Sequence, residues 1–168
     1  MSIHSNLTAI EIVGVATRAE IDAHLFYIEM SKRIKNQIVK ERILTLAAEE
    51  QRHERILKNL LRQWTGENDP PVPKDSLFPL NTLINDGMTH ARVLETAIEL
   101  ERAAAKRYIE ASRAAQDDSG RRQLEYLAEF ERIHERILAS ELEALKKDEG
   151  WFEEDTIPGS DRPIHLGP

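Results

Sequence analysis

The chain carries one pattern of acids and histidines twice, displaced by 81 residues. Glu20-x-x-Ala23-x-x-x-Tyr27 is followed thirty residues on by Glu50-x-x-His53. Glu101-x-x-Ala104-x-x-x-Tyr108 is followed, again thirty residues on, by Glu131-x-x-His134. The flanks repeat as well: His53-Glu54-Arg55-Ile56-Leu57 returns as His134-Glu135-Arg136-Ile137-Leu138. A chain built this way consists of two similar halves, and whatever the Glu and His residues do is done where the halves meet.

The spacing places these residues on helices. Glu20, Ala23, Tyr27, Met30 and Ile34 follow one another at steps of three and four, as do Ile43, Leu46, Glu50, His53, Leu57 and Leu60. The second half repeats the pattern through Leu94, Ala97, Glu101, Ala104 and Tyr108, then Leu124, Leu127, Glu131, His134 and Leu138. Steps of three and four define the inward face of a packed helix. All six Glu and His residues therefore stand in apolar seams. Four long helices are predicted: about 8–35, 37–64, from near Thr89 to about 116, and from after Gly120 to before Gly150. The stretch from Gly66 to Gly87 holds four prolines and is too long for a tight turn. Short links make antiparallel neighbours, and a long one lets the chain cross the bundle. The expected fold is all-α: a four-helix bundle over residues 1–148, two helical hairpins joined by a long crossover. A short helical turn is expected at 80–85, and residues 149–168 are read as a non-helical tail. Trp151, Phe152, Ile157, Ile164 and Leu166 make that tail apolar enough to pack back on the bundle or on a neighbouring subunit, the alternative being a docking peptide for a larger partner such as a compartment shell.

Composition narrows the chemistry. A net charge of −7 argues against nucleic acid, whose phosphates demand clustered Lys and Arg. With no cysteine, disulfides, iron–sulfur clusters, a rubredoxin-type centre and structural Cys zinc sites are excluded. No apolar run approaches membrane-spanning length and no basic segment precedes one at the N-terminus, so no membrane partner and a cytoplasmic location are expected. No phosphate-binding glycine loop or nucleophile elbow is present.

Buried ionised carboxylates are costly unless paired or metal-bound. Four would meet here with two imidazoles and no Lys or Arg in the seams. Two divalent cations balance four negative charges, and each Glu-x-x-His can offer an oxygen and a nitrogen to one ion. Carboxylate-rich ligation with one imidazole per ion suits Fe(II), with Mn(II) possible. The candidate metal ligands are Glu20, Glu50, His53, Glu101, Glu131 and His134. Tyr27 and Tyr108 are candidates either for core filling or for a redox role, each hydroxyl able to reach a carboxylate in the next layer. His24, one turn after Glu20, is read first as a surface residue and otherwise as a partner of the metal ligands, and His4, His90 and His165 as exposed. Glu49, Glu99 and Glu129 flank seam positions and belong either beside the ligands or in surface ion pairs.

At these motifs the chain resembles the ferritin-like superfamily, most closely its rubrerythrin branch, over roughly residues 8–148. The resemblance implies two iron ions bridged by Glu50 and Glu131, with Glu20 and His53 on one iron and Glu101 and His134 on the other. It also implies an oxidoreductase in which Fe(II) is oxidised by H2O2 or O2, as a peroxidase or a ferroxidase in oxidative stress or iron handling. Two departures stand out. Rubrerythrins usually carry a further Glu three residues after the third-helix ligand, where this chain has Ala104, and often a rubredoxin domain, for which cysteine is lacking here. A peroxidase of this kind needs an external electron donor. A homo-oligomer, with a dimer favoured, is expected. The competing readings are an iron-storage or delivery subunit of a ferritin-like shell, and a non-catalytic helical interaction module.

Overall fold

The computed structural model describes residues 8–153. His4, Ile157, Ile164, His165 and Leu166 lie outside the described residues, and with them most of the C-terminal tail. The described residues form α1 (Ala9–Ser31), α2 (Gln37–Thr65), a single turn α3 (Leu80–Leu83), α4 (His90–Ala114) and α5 (Asp118–Lys147). No strand occurs among them.

Local chemistry sets the ends. Thr8 caps α1 in a reciprocal box with Glu11, so that two otherwise orphaned helix-end donors are satisfied. The first helix stops at Ser31, short of the expected position near 35. There the N–H groups of Lys35 and Asn36 turn to the carbonyl of Phe152, at 2.9 and 3.0 Å, and Asn36 goes on to cap α2. Gly66 ends α2 at a φ of 73°, a left-handed conformation that glycine adopts without a Cβ penalty. α5 begins earlier than its sequence suggests, because Asp117 caps it through the Gly120 N–H. Gly120 thus lies in the first turn, under the Trp64 indole, whose Nε1 donates to Asp117 at 2.7 Å. A Cβ on Gly120 would come within 2.6 Å of that ring.

Two hairpins, α1–α2 and α4–α5, pack through α1 against α4 and α2 against α5. Arg33 after α1 bonds the carbonyl of Met88 just before α4, while Trp64 at the end of α2 meets Asp117 at the start of α5. Both cross-hairpin pairs are therefore antiparallel, and α2 and α4 run parallel, as the crossover requires. The crossover lies along α1. The Pro71 carbonyl sits where a Cβ on Gly14 would be, 2.4 Å away. Asp22, buried in α1, accepts the N–H groups of Leu77 and Phe78, and Arg18 holds Asp22 at 2.5 Å.

The core divides into two apolar clusters. One is built on Phe26, Tyr27, Ile43, Leu46, Leu94 and Leu138, the other on Leu57, Leu60, Leu61, Tyr108, Leu124 and Leu127. The six Glu and His residues of the repeat occupy neither cluster. Phe152 belongs to the first cluster and is fully buried. The turn after α5 is held there by the Trp151 Nε1 bond to Glu141 at 2.8 Å. Glu141, which breaks the apolar pattern of α5, is buried and also ion-pairs with Arg42 at 2.6 Å.

Candidate metal centre

Each long helix contributes to one layer: Glu20 from α1, Glu50 and His53 from α2, Glu101 from α4, Glu131 and His134 from α5. All six are buried, with Glu131 and His134 wholly inaccessible. Their ligand atoms fall into two clusters, Glu20–Glu50–His53–Glu131 and Glu50–Glu101–Glu131–His134, within each of which the atoms lie inside 4.8 Å of one another. Glu50 and Glu131 belong to both. The structure thus brings together every Glu and His that the repeat singled out, in the arrangement of two half-sites sharing two carboxylates.

Both imidazoles aim Nδ1 at the carboxylates. His53 Nδ1 lies 2.9 Å from Glu131 and 3.1 Å from Glu50. His134 Nδ1 lies 3.0 Å from Glu50 and 3.3 Å from Glu131. Proximity is not satisfaction here: Glu50 Oε1, both oxygens of Glu131 and His134 Nδ1 are buried without an aligned hydrogen-bond partner among the described residues. Buried polar atoms are almost always bonded, so a group of orphaned acceptors converging on one point is the signature of a cation site. The donor set, oxygens plus one imidazole per half-site and no sulfur, fits iron or manganese.

Charge tells the same story. Two carboxylates within 4.8 Å repel by at least about 3 kcal/mol at an effective dielectric near 20. Burial, with the charges of Glu131 and Glu50, accordingly raises Glu20 well above the usual carboxylate range. Burial and the Glu50 charge do the same to Glu101. For Glu50 burial also opposes ionisation, but the contacts from His134 and His53 outweigh it and hold its carboxyl below the ordinary value. Burial disfavours the charged imidazoles, yet Glu131 and Glu50 push His53 up to about 9. Against the same penalty, Glu101, Glu131 and Glu50 push His134 higher still. Left to themselves, the side chains neutralise one another with protons.

The tyrosines cross the bundle. The Tyr27 hydroxyl donates to Glu101 and the Tyr108 hydroxyl to Glu20, each joining one half of the repeat to the other. Burial first, and then the facing carboxylates, raise both phenols well above their ordinary value, so both remain donors.

Several flanking residues resolve. His24 is not a free surface histidine: its Nδ1 lies 2.7 Å from the Ala47 carbonyl, at the α1–α2 contact. His90 packs on Phe152 with ring centroids 5.0 Å apart. Glu49 reaches His134, Glu129 pairs with Arg132 and Arg136 at the surface, and Glu99 is exposed. Two residues near the centre escaped the sequence reading. Asp22 anchors the crossover, and Arg107, with a buried unpartnered Nε, lines a cavity above the carboxylates. The signal was a mismatch in the repeat: Asp22 corresponds to Ala103 in the second half, and Arg107 to Phe26 in the first.

That cavity opens between α1 and α4 over Glu20, Glu50, Glu101 and Glu131. Ala19, Ala23, Leu100 and Ala104 wall it, and Phe78 and Leu83 of the crossover close it. The space left for a water-sized molecule is ≈ 20 Å³, about one or two water positions.

A helical bundle with carboxylate–histidine clusters in its seam is the architecture of ferritin-like di-metal proteins. The sequence model of the family described as Rubrerythrin matches residues 11–90 and 92–165, segments that start at equivalent points of the repeat, and the chain belongs to that family. A hypothetical protein from Pyrococcus furiosus superposes with a TM-score of 0.74 at 28% identity, over 86% of this chain and 94% of that one. KatB, a manganese catalase from Anabaena, superposes with a TM-score of 0.68 at 18% identity, over 97% of this chain and 83% of that one. A further KatB structure, from Anabaena PCC7120, agrees at 17% identity with the same TM-score and coverage. At such identities the likeness to KatB is one of fold. No curated protein matches the chain.

Proposed function

We propose that the chain is a di-metal oxidoreductase that binds two Fe(II) ions and oxidises them with H2O2 or O2, as a rubrerythrin-like peroxidase or ferroxidase. The observation that carries this reading is the pair of buried clusters sharing Glu50 and Glu131, with acceptor atoms that no donor among the described residues satisfies. Glu20 and His53 would hold one ion, Glu101 and His134 the other, and Glu50 and Glu131 both. When bound, the metal pair supplies the electrons and the Lewis acidity for reducing a small oxidant.

The protein's own residues position and exclude. The Tyr27 and Tyr108 hydroxyls pin Glu101 and Glu20, so each carboxylate keeps one oxygen bonded and turns the other inward. Ala23 and Ala104, one turn beyond those acids, leave room above the carboxylates where a larger side chain would fill it. With Phe78 and Leu83 as a lid, the remaining space suits O2 or H2O2 and not an organic substrate. With Ala104 in place of a further Glu, the two halves offer equal numbers of ligands, which suits a reaction in which Fe(II) is itself the reductant. A peroxidase cycle would draw electrons from an external donor. Manganese is the alternative metal, consistent with the donor set and with the manganese catalase KatB as a fold neighbour.

Anaerobic Fe(II) titration followed by O2 or H2O2, with particle mass measured in parallel, tests the reading. Saturation at two irons per chain, fast oxidation and loss of both in Glu50→Ala with Glu131→Ala are expected. Loading far beyond two irons in a closed shell would favour storage instead. Unchanged Fe(II) binding by the double variant would refute the site.

A further inference from the structure

The repeat supplies an internal control on the two half-sites. Residues 49 and 130 are equivalent, each immediately before the Glu of a Glu-x-x-His motif and each facing the imidazole of the opposite hairpin. They are not alike. Glu49 reaches from α2 to His134 on α5, with its Oε2 2.6 Å from Nε2. Phe130 stands at the counterpart place and meets His53 edge-on, with centroids 5.9 Å apart and planes at 81°. No side chain among the described residues is hydrogen-bonded to His53 Nε2.

Both imidazoles present Nδ1 to the carboxylates, so a bound cation takes Nδ1 and the proton resides on Nε2. A carboxylate accepting that proton fixes the tautomer and ring orientation and makes Nδ1 a better donor, an effect whose loss typically costs about 10–100-fold in metal affinity. An aromatic edge does none of this. Glu49 also adds negative charge on the His134 side, in a side chain only about one-third exposed.

We propose that Glu49 makes the His134 half-site the tighter, first-filled metal position, and that Phe130 leaves the His53 half-site weaker and exchangeable. The inference rests on the two-metal reading above. Glu49 is a positioning residue: it acts on the metal through His134. The centre therefore loads in two steps although its ligand set is symmetric.

The test is calorimetric titration of the chelator-stripped full chain with MnCl2, together with electron paramagnetic resonance at one and two equivalents. The unaltered chain should bind in two steps of one ion each, separated by about 10–100-fold. An isolated Mn(II) spectrum is expected at one equivalent and a coupled one at two. Glu49→Ala should weaken the first step by about the same factor and leave the second where it is, merging the two. Glu49→Gln, which keeps an acceptor oxygen, should lose less. Phe130→Glu should strengthen the second step. Glu49 variants that weaken both steps equally, or neither, would overturn the proposal. So would equal intrinsic affinities in the unaltered chain, with the two-metal reading intact. Failure to bind Mn(II) and Fe(II) at all would overturn both. Thermal unfolding of each stripped variant separates a lost fold from a lost ligand.

Discussion

Loading the centre with a divalent cation near pH 6 should expel more than two protons per chain, from His53 and His134 and in part from Glu20 and Glu101. Burial and neighbouring acids hold Glu20 and Glu101 well above the usual carboxylate range. Facing carboxylates push His53 up to about 9 and His134 in the same direction against their own burial penalty. Each of these groups must shed its proton to bind a cation. Each proton released steepens the overall two-ion binding constant by about one decade per pH unit. That is about 1.4 kcal/mol per pH unit for every proton. Titration with MnCl2 between pH 5.5 and 6.5, in two buffers of different ionisation enthalpy, gives the proton count directly. A count of two or fewer would show that Glu20 and Glu101 are already ionised, and the charge argument for the site would fail.

The same shifts fix how the stripped chain responds to pH. The four raised groups contribute stability that is complete below their unfolded values, near 4.5 for the acids and 6.5 for the imidazoles, and lost as pH rises through the folded ones. Glu50 acts oppositely, losing its contribution as pH falls below 4.5. The stripped chain should therefore melt highest near pH 4–5 and lower toward pH 9, while saturating Mn(II) should abolish that decline; a flat profile without metal would count against the shifts. Tyr108→Phe removes the donor to Glu20 and should cost about 1–3 kcal/mol, or several degrees in Tm, and Tyr27→Phe should do the same at Glu101. Gly14→Ala drives a Cβ into the Pro71 carbonyl, which is backbone and cannot swing aside. It should cost about 1–3 kcal/mol despite the helix-propensity gain and make the crossover easier to cleave by protease. Unchanged melting of that variant would mean that the crossover does not lie on α1.

The hairpins, the crossover and the layer of acids were legible because seam spacing is a property of one helix at a time. Glu20, Glu50, Glu101 and Glu131 each sit between apolar residues one turn away, and no tertiary knowledge is needed to see that they point inward. What was illegible depends on partners distant in sequence. α1 ends early because the Phe152 carbonyl, more than a hundred residues on, takes the N–H groups of Lys35 and Asn36. Glu141 interrupts an apolar stripe and yet is buried, because Arg42 and Trp151 meet it there. Asp22 and Arg107 were hidden behind ordinary helical positions, and only the failure of the repeat at those places could have exposed them. The tyrosines fell between the two cases. Their inward position could be read from the spacing, but whether a hydroxyl found a carboxylate on its own half or on the other could not.

The central claim is that two cations lie between the halves, sharing Glu50 and Glu131. Anomalous diffraction from crystals of the Mn(II)-loaded chain tests it most directly. Two peaks are expected, both touching Glu50 and Glu131, one of them also touching Glu20 and His53 Nδ1, the other Glu101 and His134 Nδ1. A single peak, or density on the surface acids with none in the seam, would contradict it.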